Sequence, residues 1–390
     1  MRPTDKQYTI DGIGRYFDEI NILRAFAILA VISIHISAYF TRMPAMNSLA
    51  IAYMTIDVIS SFAVPLFVCI SGFVLYNRYP GKIDLKAFYK KRMLSVLPQY
   101  IIFSTFYLGL SYLIAKVLAT PLDFDIPHIL FWYLSGECFY HLWFIVLIIE
   151  FYILYPVIVR IYHYCDSRGK SLELLIGVLI LSVCYNVYTL PDVFIAGTGF
   201  PVWGVATKFI GYLFYFMLGI IVRSKYEDLL RKPVSDMALC CLSVPLFFCT
   251  LVGIFIAAQY HFSFDITRIL AVTGLYWRWI AALIIPVLCL VTFAFSVNIY
   301  LHIVSHKSTA FKLLEKIGHY SLGIYLVHAF ILTMLVLLFA RFGFTWNNWL
   351  FYPVTFCFTV TLSIFSVDLI GKLPYSKYII GNTSGNKDTV

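Results

Sequence analysis

Residues 22–35 read ILRAFAILAVISIH, an apolar run with Arg24 near its start and His35 near its end. Together with its apolar neighbours, the run reaches the ~20 residues that an α-helix needs to cross a bilayer. An ionisable side chain inside such a helix is costly, so it is expected to face a protein or water-filled interior and to have a function. The fold and the function therefore both depend on what surrounds these two side chains.

The whole chain has the composition of a membrane protein. Of its 390 residues, 61% are hydrophobic and 13% are charged, whereas soluble domains carry roughly 25% charged residues. In lipid, a helix satisfies its own backbone groups, and a barrel would instead show short alternating strands. The sequence therefore predicts an all-α, polytopic membrane protein. We predict one membrane domain over residues 1–375 and a polar, disordered cytoplasmic tail over residues 376–390.

The apolar runs predict about ten transmembrane helices. Lys and Arg are concentrated at alternate junctions between these runs, so the positive-inside rule places both termini in the cytoplasm. The net charge of +9 belongs largely to these short loops, which suit topology and anionic lipids rather than nucleic acid. The predicted spans are 20–40, 53–77, 93–117, 141–162, 172–190, 204–222, 237–258, 280–301, 319–340 and 348–371.

Arg24 and His35 are predicted to share one face of the first span. Eleven residues at about 100° each return to within about 20° of the same face, about 16 Å along the axis. A guanidinium binds phosphate through paired hydrogen bonds, and an imidazole accepts a proton from a hydroxyl near neutral pH. The pair therefore predicts an anionic substrate at the inner end and a base near the midplane. The simpler alternatives are a snorkelling arginine and a histidine that bonds a neighbouring helix.

Four sequence features occur in the order found in a known family. The Arg24-x10-His35 pattern is followed by AVPLFVCISGFVLYNRY (63–79), HLWFIVLIIEFYILYP (141–156) and YSLGIYLVH (320–328). In this order, on about ten spans, they resemble the bacterial acyltransferase type 3 family, multispanning enzymes that acylate surface carbohydrates. Two of the segments, 63–79 and 141–156, look closest to those of the branch that contains the polysaccharide-adhesin O-succinyltransferases.

The segment after the second span differs from the family pattern. The family commonly has Arg-Arg-x-x-Arg followed by a proline, whereas here Lys91 and Arg92 precede Ser95 and Pro98, so serine replaces the last arginine. The resemblance still implies that Lys91 and Arg92 hold the phosphates of an acyl-CoA. The alternative is that this basic loop only fixes the topology.

Three further candidates belong to the fourth span. Glu150 is expected about 13 Å below the outer surface, near the depth of His35, where a carboxylate would orient and activate the imidazole. Its alternative is a structural partner for Arg24 or a tyrosine. His141 falls about 180° from Glu150 on an ideal helix, so we assign His141, with Trp143, to the acceptor side. An interfacial belt is the alternative for this pair.

Other candidates come from the ninth and second spans. Ser321, Tyr325 and His328 follow the i, i+4, i+7 spacing of one helix face. His328 is a second candidate base or an orienting group, and the other two are candidates for substrate binding. Asp57 and Ser71 share a face of the second span to within about 40°, and Asp57, near the outside, is expected to meet sugar hydroxyls. Helix packing is the alternative for Ser71.

These residues predict an enzyme with a polar passage through the membrane. Acyl-CoA would dock on Arg24, Lys91 and Arg92, and His35 would deprotonate the acceptor hydroxyl, assisted by Glu150. The sequence contains no HExxH or CxxC zinc pattern, so we expect no metal and no permanently bound cofactor. The resemblance implies acetyl-CoA as the default co-substrate, with succinyl as the second option, and an envelope carbohydrate as the acceptor.

The main alternative is an exporter or flippase of polysaccharide or lipid-linked sugar, since buried charges also suit transport. A sensor or scaffold without turnover would leave the matched Arg24 and His35 without a use. We expect the protein to lie in the bacterial cytoplasmic membrane as a multi-pass protein. The sequence leaves open the acceptor sugar, homodimer formation and biosynthetic partner proteins.

Overall fold

The computed structural model describes residues 17–118, 125–195, 208–227 and 309–381, with short helical stretches between 247 and 287. Within these residues the ordered elements are helices, without a strand. The helices with defined bounds are α1 (Asp18–Ser37), a 3₁₀ helix (Ala38–Arg42), α2 (Ser48–Ser60), α3 (Ala63–Arg78), α4 (Leu85–Leu118), α5 (Ile126–Ser135), α6 (Trp143–Asp166), α7 (Ser171–Ile195), α8 (Lys208–Ser224), α9 (Thr309–His319), α10 (Ser321–Arg341), α11 (Phe351–Gly371) and α12 (Ser376–Ile379).

Six segments of the described chain are long and apolar enough to cross a membrane. They are α1 with its 3₁₀ extension, α2 joined to α3, and the single helices α4, α6, α10 and α11. The helices α7 and α8 also form where spans were predicted. The predicted spans 237–258 and 280–301 fall largely outside the described residues. The count of about ten and the cytoplasmic location of the termini therefore stay predictions.

Two local features differ from the prediction. The second span is two helices, because the chain turns at Ser61 and Phe62 between α2 and α3. The segment between the third and fourth predicted spans contains α5. Its first turn is capped by the Asp125 carboxylate, which accepts from the His128 backbone N–H at 3.0 Å. Gly136, with φ +79°, ends the helix in the left-handed conformation that glycine adopts without strain.

The helix α1 lies at the centre of the described bundle. It packs against α2, α3, α9, α10 and α11. Its fully buried side chains include Ala25, Ala27, Ile28, Ile32 and Ile36, which are 0% exposed. Since neighbours surround α1 on several sides, its polar residues are directed largely at protein and not at lipid.

The helices α3 and α8 cross with their backbones in contact. A Cβ added to Gly72 would overlap the Phe216 carbonyl, and one added to Gly219 would overlap the Cys69 carbonyl. Small residues permit this approach, which is a common way for helices to pack inside a membrane. The crossing fixes α8 against the segment that carries the 63–79 motif.

Basic residues from several segments meet at one end of the bundle, which we call the basic end. The Arg223 guanidinium donates to the Asn77 amide oxygen at 2.7 Å, joining α8 to α3. The Lys316 ammonium lies 3.0 Å from the Asp368 carboxylate, joining α9 to α11. These contacts show basic residues of α8 and α9 bonded to α3 and α11, and the alternation of basic junctions across the membrane stays a prediction.

Candidate active site

Three histidines from three parts of the chain form one cluster in the bundle interior. The ring of His35, on α1, stacks on that of His328, on α10, with centroids 5.4 Å apart and planes inclined by 22°. The ring of His141, from the turn before α6, lies 5.2 Å from that of His328 and nearly perpendicular to it. His328 is 0% and His141 2% exposed, whereas His35 is half-buried. The half-buried ring of His35 is therefore the most accessible of the three.

The hydrogen bonds of His328 define its tautomer. Its Nδ1 lies 2.7 Å from the Tyr325 carbonyl oxygen and 3.1 Å from the Ile324 carbonyl oxygen. Because carbonyl oxygens only accept, Nδ1 carries the proton. In the neutral ring Nε2 is then an acceptor, and it is buried without a hydrogen-bond partner among the described residues. A buried nitrogen left unpaired is costly, so it marks a place where function is expected.

Aromatic side chains hold the cluster in place. The Tyr325 hydroxyl donates to the His141 carbonyl oxygen. The Tyr107 ring lies 4.9 Å from the His141 ring, and its hydroxyl donates to the Leu326 carbonyl at 2.7 Å. The Tyr140 ring lies 4.7 Å from the His35 ring. These contacts connect the turn 136–142 to α1, α4 and α10, so the imidazoles are positioned by several elements at once.

The position of His141 beside His328 argues against the alternative of an interfacial belt, whereas its assignment to the acceptor side stays a prediction. The helix α6 begins at Trp143, so His141 lies in the preceding turn, where the helical-wheel argument does not apply. The turn begins at Gly136, and both ring nitrogens of His141 are buried without a partner in the described structure. The HLWF motif was the available signal, but spacing alone did not indicate that its histidine meets His328.

The expected pairing of Glu150 with His35 does not form. Glu150 interacts with the Phe209 backbone N–H and with Lys208, at the start of α8. The groups that act on the His35 ring are His328 and Tyr140. The sequence-based estimate gave the depth of Glu150 along its helix but not the direction of its side chain. The carboxylate of Glu150 faces α8, so its partners are Phe209 and Lys208 and not His35.

The remaining α10 candidates differ in what they touch. The Tyr325 and His328 rings lie 5.8 Å apart, as their spacing predicted. Ser321 is buried at the first turn of α10. A role in substrate binding stays a prediction for Ser321 and Tyr325.

The candidates near α2, α3 and α6 also have defined neighbours. The Asp57 carboxylate accepts from the Ser37 hydroxyl at 3.0 Å, which ties α2 to the end of α1 that carries His35. The Ser71 hydroxyl donates to the Phe67 carbonyl of its own helix at 2.9 Å. The Lys208 ammonium lies 5.8 Å from the centre of the Trp143 ring. Contacts of these three candidates with substrate stay predictions.

The residues predicted to hold the donor lie at or toward the basic end. The Arg92 guanidinium lies 5.0 Å from the Tyr79 ring centre and 5.8 Å from that of Tyr152. Lys91 is exposed and lies within electrostatic range of Arg78 and Arg92. Arg24 is half-buried on α1. The cluster of Arg78, Lys91 and Arg92 therefore provides concentrated positive charge beside the bundle.

A family model described as an acyltransferase domain matches residues 17–368. The chain belongs to the acyltransferase type 3 family. No curated protein and no solved structure matches the chain. The acyltransferase domain includes His35, His141 and His328. In the described part of this acyltransferase, no set of three His, Cys, Asp or Glu side chains has the geometry to hold a metal ion.

The acyltransferase is expected to lose stability in mild acid through His141. Burial holds the pKa of His141 well below its ordinary value of 6.5, and His328 and His35 lower it further. Below about pH 6.5 the unfolded chain therefore binds a proton that the folded protein does not, so the free energy of unfolding decreases as the pH falls. Above that pH this group contributes no pH dependence.

Thermal unfolding of the detergent-purified protein, followed between about pH 7.5 and pH 5, measures this effect. The midpoint should fall toward the acidic end, and His141→Gln should reduce the slope because it removes one of the titrating rings. An unchanged slope in the variant would contradict the assignment to His141.

Proposed function

We propose that this acyltransferase moves an acyl group from acyl-CoA to a hydroxyl of a cell-envelope carbohydrate. The main observation that supports this proposal is the stack of His35 on His328 inside the bundle, with ring centroids 5.4 Å apart. It supplies imidazole bases in a protein interior, which is the chemistry that acyl transfer from a thioester to a hydroxyl requires.

In the proposed reaction His35 acts as the general base. It takes the proton of the acceptor hydroxyl, and the resulting oxygen nucleophile attacks the thioester carbonyl carbon. A new C–O ester bond forms, the C–S bond breaks, and the CoA thiolate takes the proton back from the His35 imidazolium. The three rings lie close together, so a second positive charge in the cluster is disfavoured. The cluster is therefore suited to one proton at a time.

The donor is proposed to enter from the basic end. Lys91, Arg92 and the neighbouring Arg78 would bind the phosphates of CoA, since guanidinium and ammonium groups are the usual phosphate ligands of proteins. Arg24 would bind the donor between the basic end and the histidines, because it lies on α1 about 16 Å along the helix axis from His35. An extended thioester arm laid along α1 would then bring its carbonyl to the histidines. Acetyl is the default acyl group, and the size of the pocket decides between acetyl and succinyl.

The acceptor is proposed to enter from the opposite end, past Asp57 and Trp143. A carboxylate that accepts from sugar hydroxyls and an aromatic ring that packs against the sugar are typical components of carbohydrate sites. Asp57 supports this role because it is bonded to the end of α1 that carries His35. We expect the acceptor to be a lipid-linked or nascent envelope polysaccharide at the bacterial cytoplasmic membrane.

The test is acyl transfer by the purified protein. Radiolabelled acetyl-CoA and succinyl-CoA are supplied in turn with envelope glycans extracted from cells that lack the protein, and the products are analysed by mass spectrometry. We expect ester-linked label on the glycan and release of free CoA in equal amounts. Glycan that crosses vesicle membranes without CoA release would instead indicate an exporter.

A further inference from the structure

A groove at the basic end lies between the loop 79–84 and the outer face of α6. Its volume is about 560 Å³. The polar part of its wall is formed by Lys82, Arg160 and His163, and the apolar part includes Ile83, Leu85 and Val159. The groove therefore combines positive charge with an apolar surface, a combination that neither the family match nor the proposed reaction uses.

Hydrogen bonds hold the wall of the groove in place. The His163 ring, through Nε2, donates to the Pro80 carbonyl at 2.7 Å, and the Tyr155 hydroxyl donates to the Tyr79 carbonyl at 2.8 Å. A third bond runs from the Tyr89 hydroxyl to the Ile153 carbonyl at 2.9 Å. Since α6 fixes both the loop and the start of α4, the groove is preformed and a ligand would not have to order it.

The two cations of the groove are available to a ligand. Lys82 and Arg160 are both exposed, and neither forms an ion pair with a residue that the structure describes. Arg168, in the turn that follows α6, behaves differently: its guanidinium lies 3.7 Å from the Tyr164 ring centre and donates to the Tyr164 carbonyl at 3.0 Å. The positive charge of the groove is therefore exposed, while that of Arg168 lies against the last turn of α6.

An exposed apolar path continues from the groove along α6, away from the basic end. Ile153 is 53% and Val157 55% exposed, and they precede Arg160 at the spacing of one helix face. On a membrane-spanning helix such a face contacts acyl chains. The charged groove thus lies at one end of a lipid-facing surface, at the level where lipid headgroups are expected.

We propose that this groove binds an anionic phospholipid, with its phosphate on Lys82 and Arg160 and its acyl chain along Val157 and Ile153. Basic pockets beside transmembrane helices attract anionic headgroups, and the apolar path distinguishes a lipid from a soluble phosphate. By the positive-inside expectation the lipid belongs to the cytoplasmic leaflet. The bound headgroup would lie against the loop whose Tyr79 ring packs on Arg92.

Lipid titration with native mass spectrometry of the full-length protein tests the proposal. Phosphatidylglycerol is expected to bind, and phosphatidylcholine of the same chain length should bind at least about tenfold more weakly. The double variant Lys82→Gln with Arg160→Gln should weaken phosphatidylglycerol binding by at least about tenfold, since each basic residue near an anionic headgroup is worth about a fivefold factor. The control Arg168→Gln, which removes one charge from the turn after α6, should change it by less than about twofold.

Three results would overturn the proposal. They are equal affinity for the two lipids, an unchanged affinity in the double variant, and an equal loss in the Arg168→Gln control. Inorganic phosphate and CoA are added as competitors. Displacement of the lipid by either at a similar concentration would assign the groove to a soluble phosphate. The readout is bound lipid, so it does not depend on whether acyl transfer occurs.

Discussion

The His35→Ala variant is expected to lose acyl transfer by a factor of about 10² to 10⁴, the range that a positioned general base contributes. His35 is the half-buried member of the histidine cluster, so under the proposed function we expect an incoming hydroxyl to reach this ring first. The ring of His328 cannot replace it fully, because His328 is 0% exposed and its Nδ1 is bound to backbone carbonyls. The measurement is the initial rate of labelled ester formation in purified protein.

The matched control for this experiment is His128→Ala. His128 lies on α5 with an exposed side chain and is bonded to Asp125, so its loss should change the rate by less than about twofold. Thermal unfolding of both variants establishes that they are folded. If folded His35→Ala protein transferred acyl groups at the wild-type rate, His35 would have no part in the mechanism, whereas transfer that persists at a reduced rate would measure what His328 supplies.

The Gly219→Ala variant is expected to destabilise the protein by roughly 3 kcal/mol or more, at the upper end of the range for overpacked interiors. The added methyl group would overlap the Cys69 carbonyl and would lie 2.8 Å from the Phe73 backbone nitrogen. Both contacts are backbone atoms of α3, which cannot move aside as a flexible side chain can. We therefore expect separation of α3 from α8, a lower yield of folded protein and a lower midpoint of thermal unfolding in detergent.

Gly177→Ala is the matched control for the Gly219→Ala variant at the crossing of α3 and α8. Gly177 lies in α7 with nothing within 4 Å of the added methyl group. Alanine there should stabilise the helix by about 0.5 to 1 kcal/mol, because glycine is the poorer helix former. Equal unfolding midpoints for the two alanine variants would show that α3 and α8 are not in backbone contact.

The long helices were predictable because a span needs about 20 apolar residues, and that requirement is visible in any window of the sequence. The Arg24 to His35 spacing and the pairing of Tyr325 with His328 follow from helix geometry within one segment. The turn at Ser61 was not predictable from hydropathy, since α2 and α3 are both apolar. The helix α5 has 10 residues and is too short to cross a bilayer, so a search for apolar runs of about 20 residues does not identify it.

The partners of the candidate residues were less predictable, because they depend on contacts between distant segments. Glu150 and His35 were matched by depth, yet depth does not specify which neighbour a side chain faces, and Glu150 faces Lys208. His141 was placed on an ideal helix that begins two residues later. The meeting of His141 with His328 brings together positions far apart in the chain, and no local spacing encodes it.

The hydrogen bonds of His328 limit which of its ring nitrogens can exchange hydrogen ions. A histidine whose ring stays fixed relays hydrogen ions by taking each ion up at one ring nitrogen and releasing one from the other. The Nδ1 hydrogen of His328 is held by the Ile324 and Tyr325 carbonyls, so this ring exchanges ions only through Nε2. In the proposed reaction, proton transfer at the histidine cluster would therefore not open a path through this residue that discharges the electrochemical gradient.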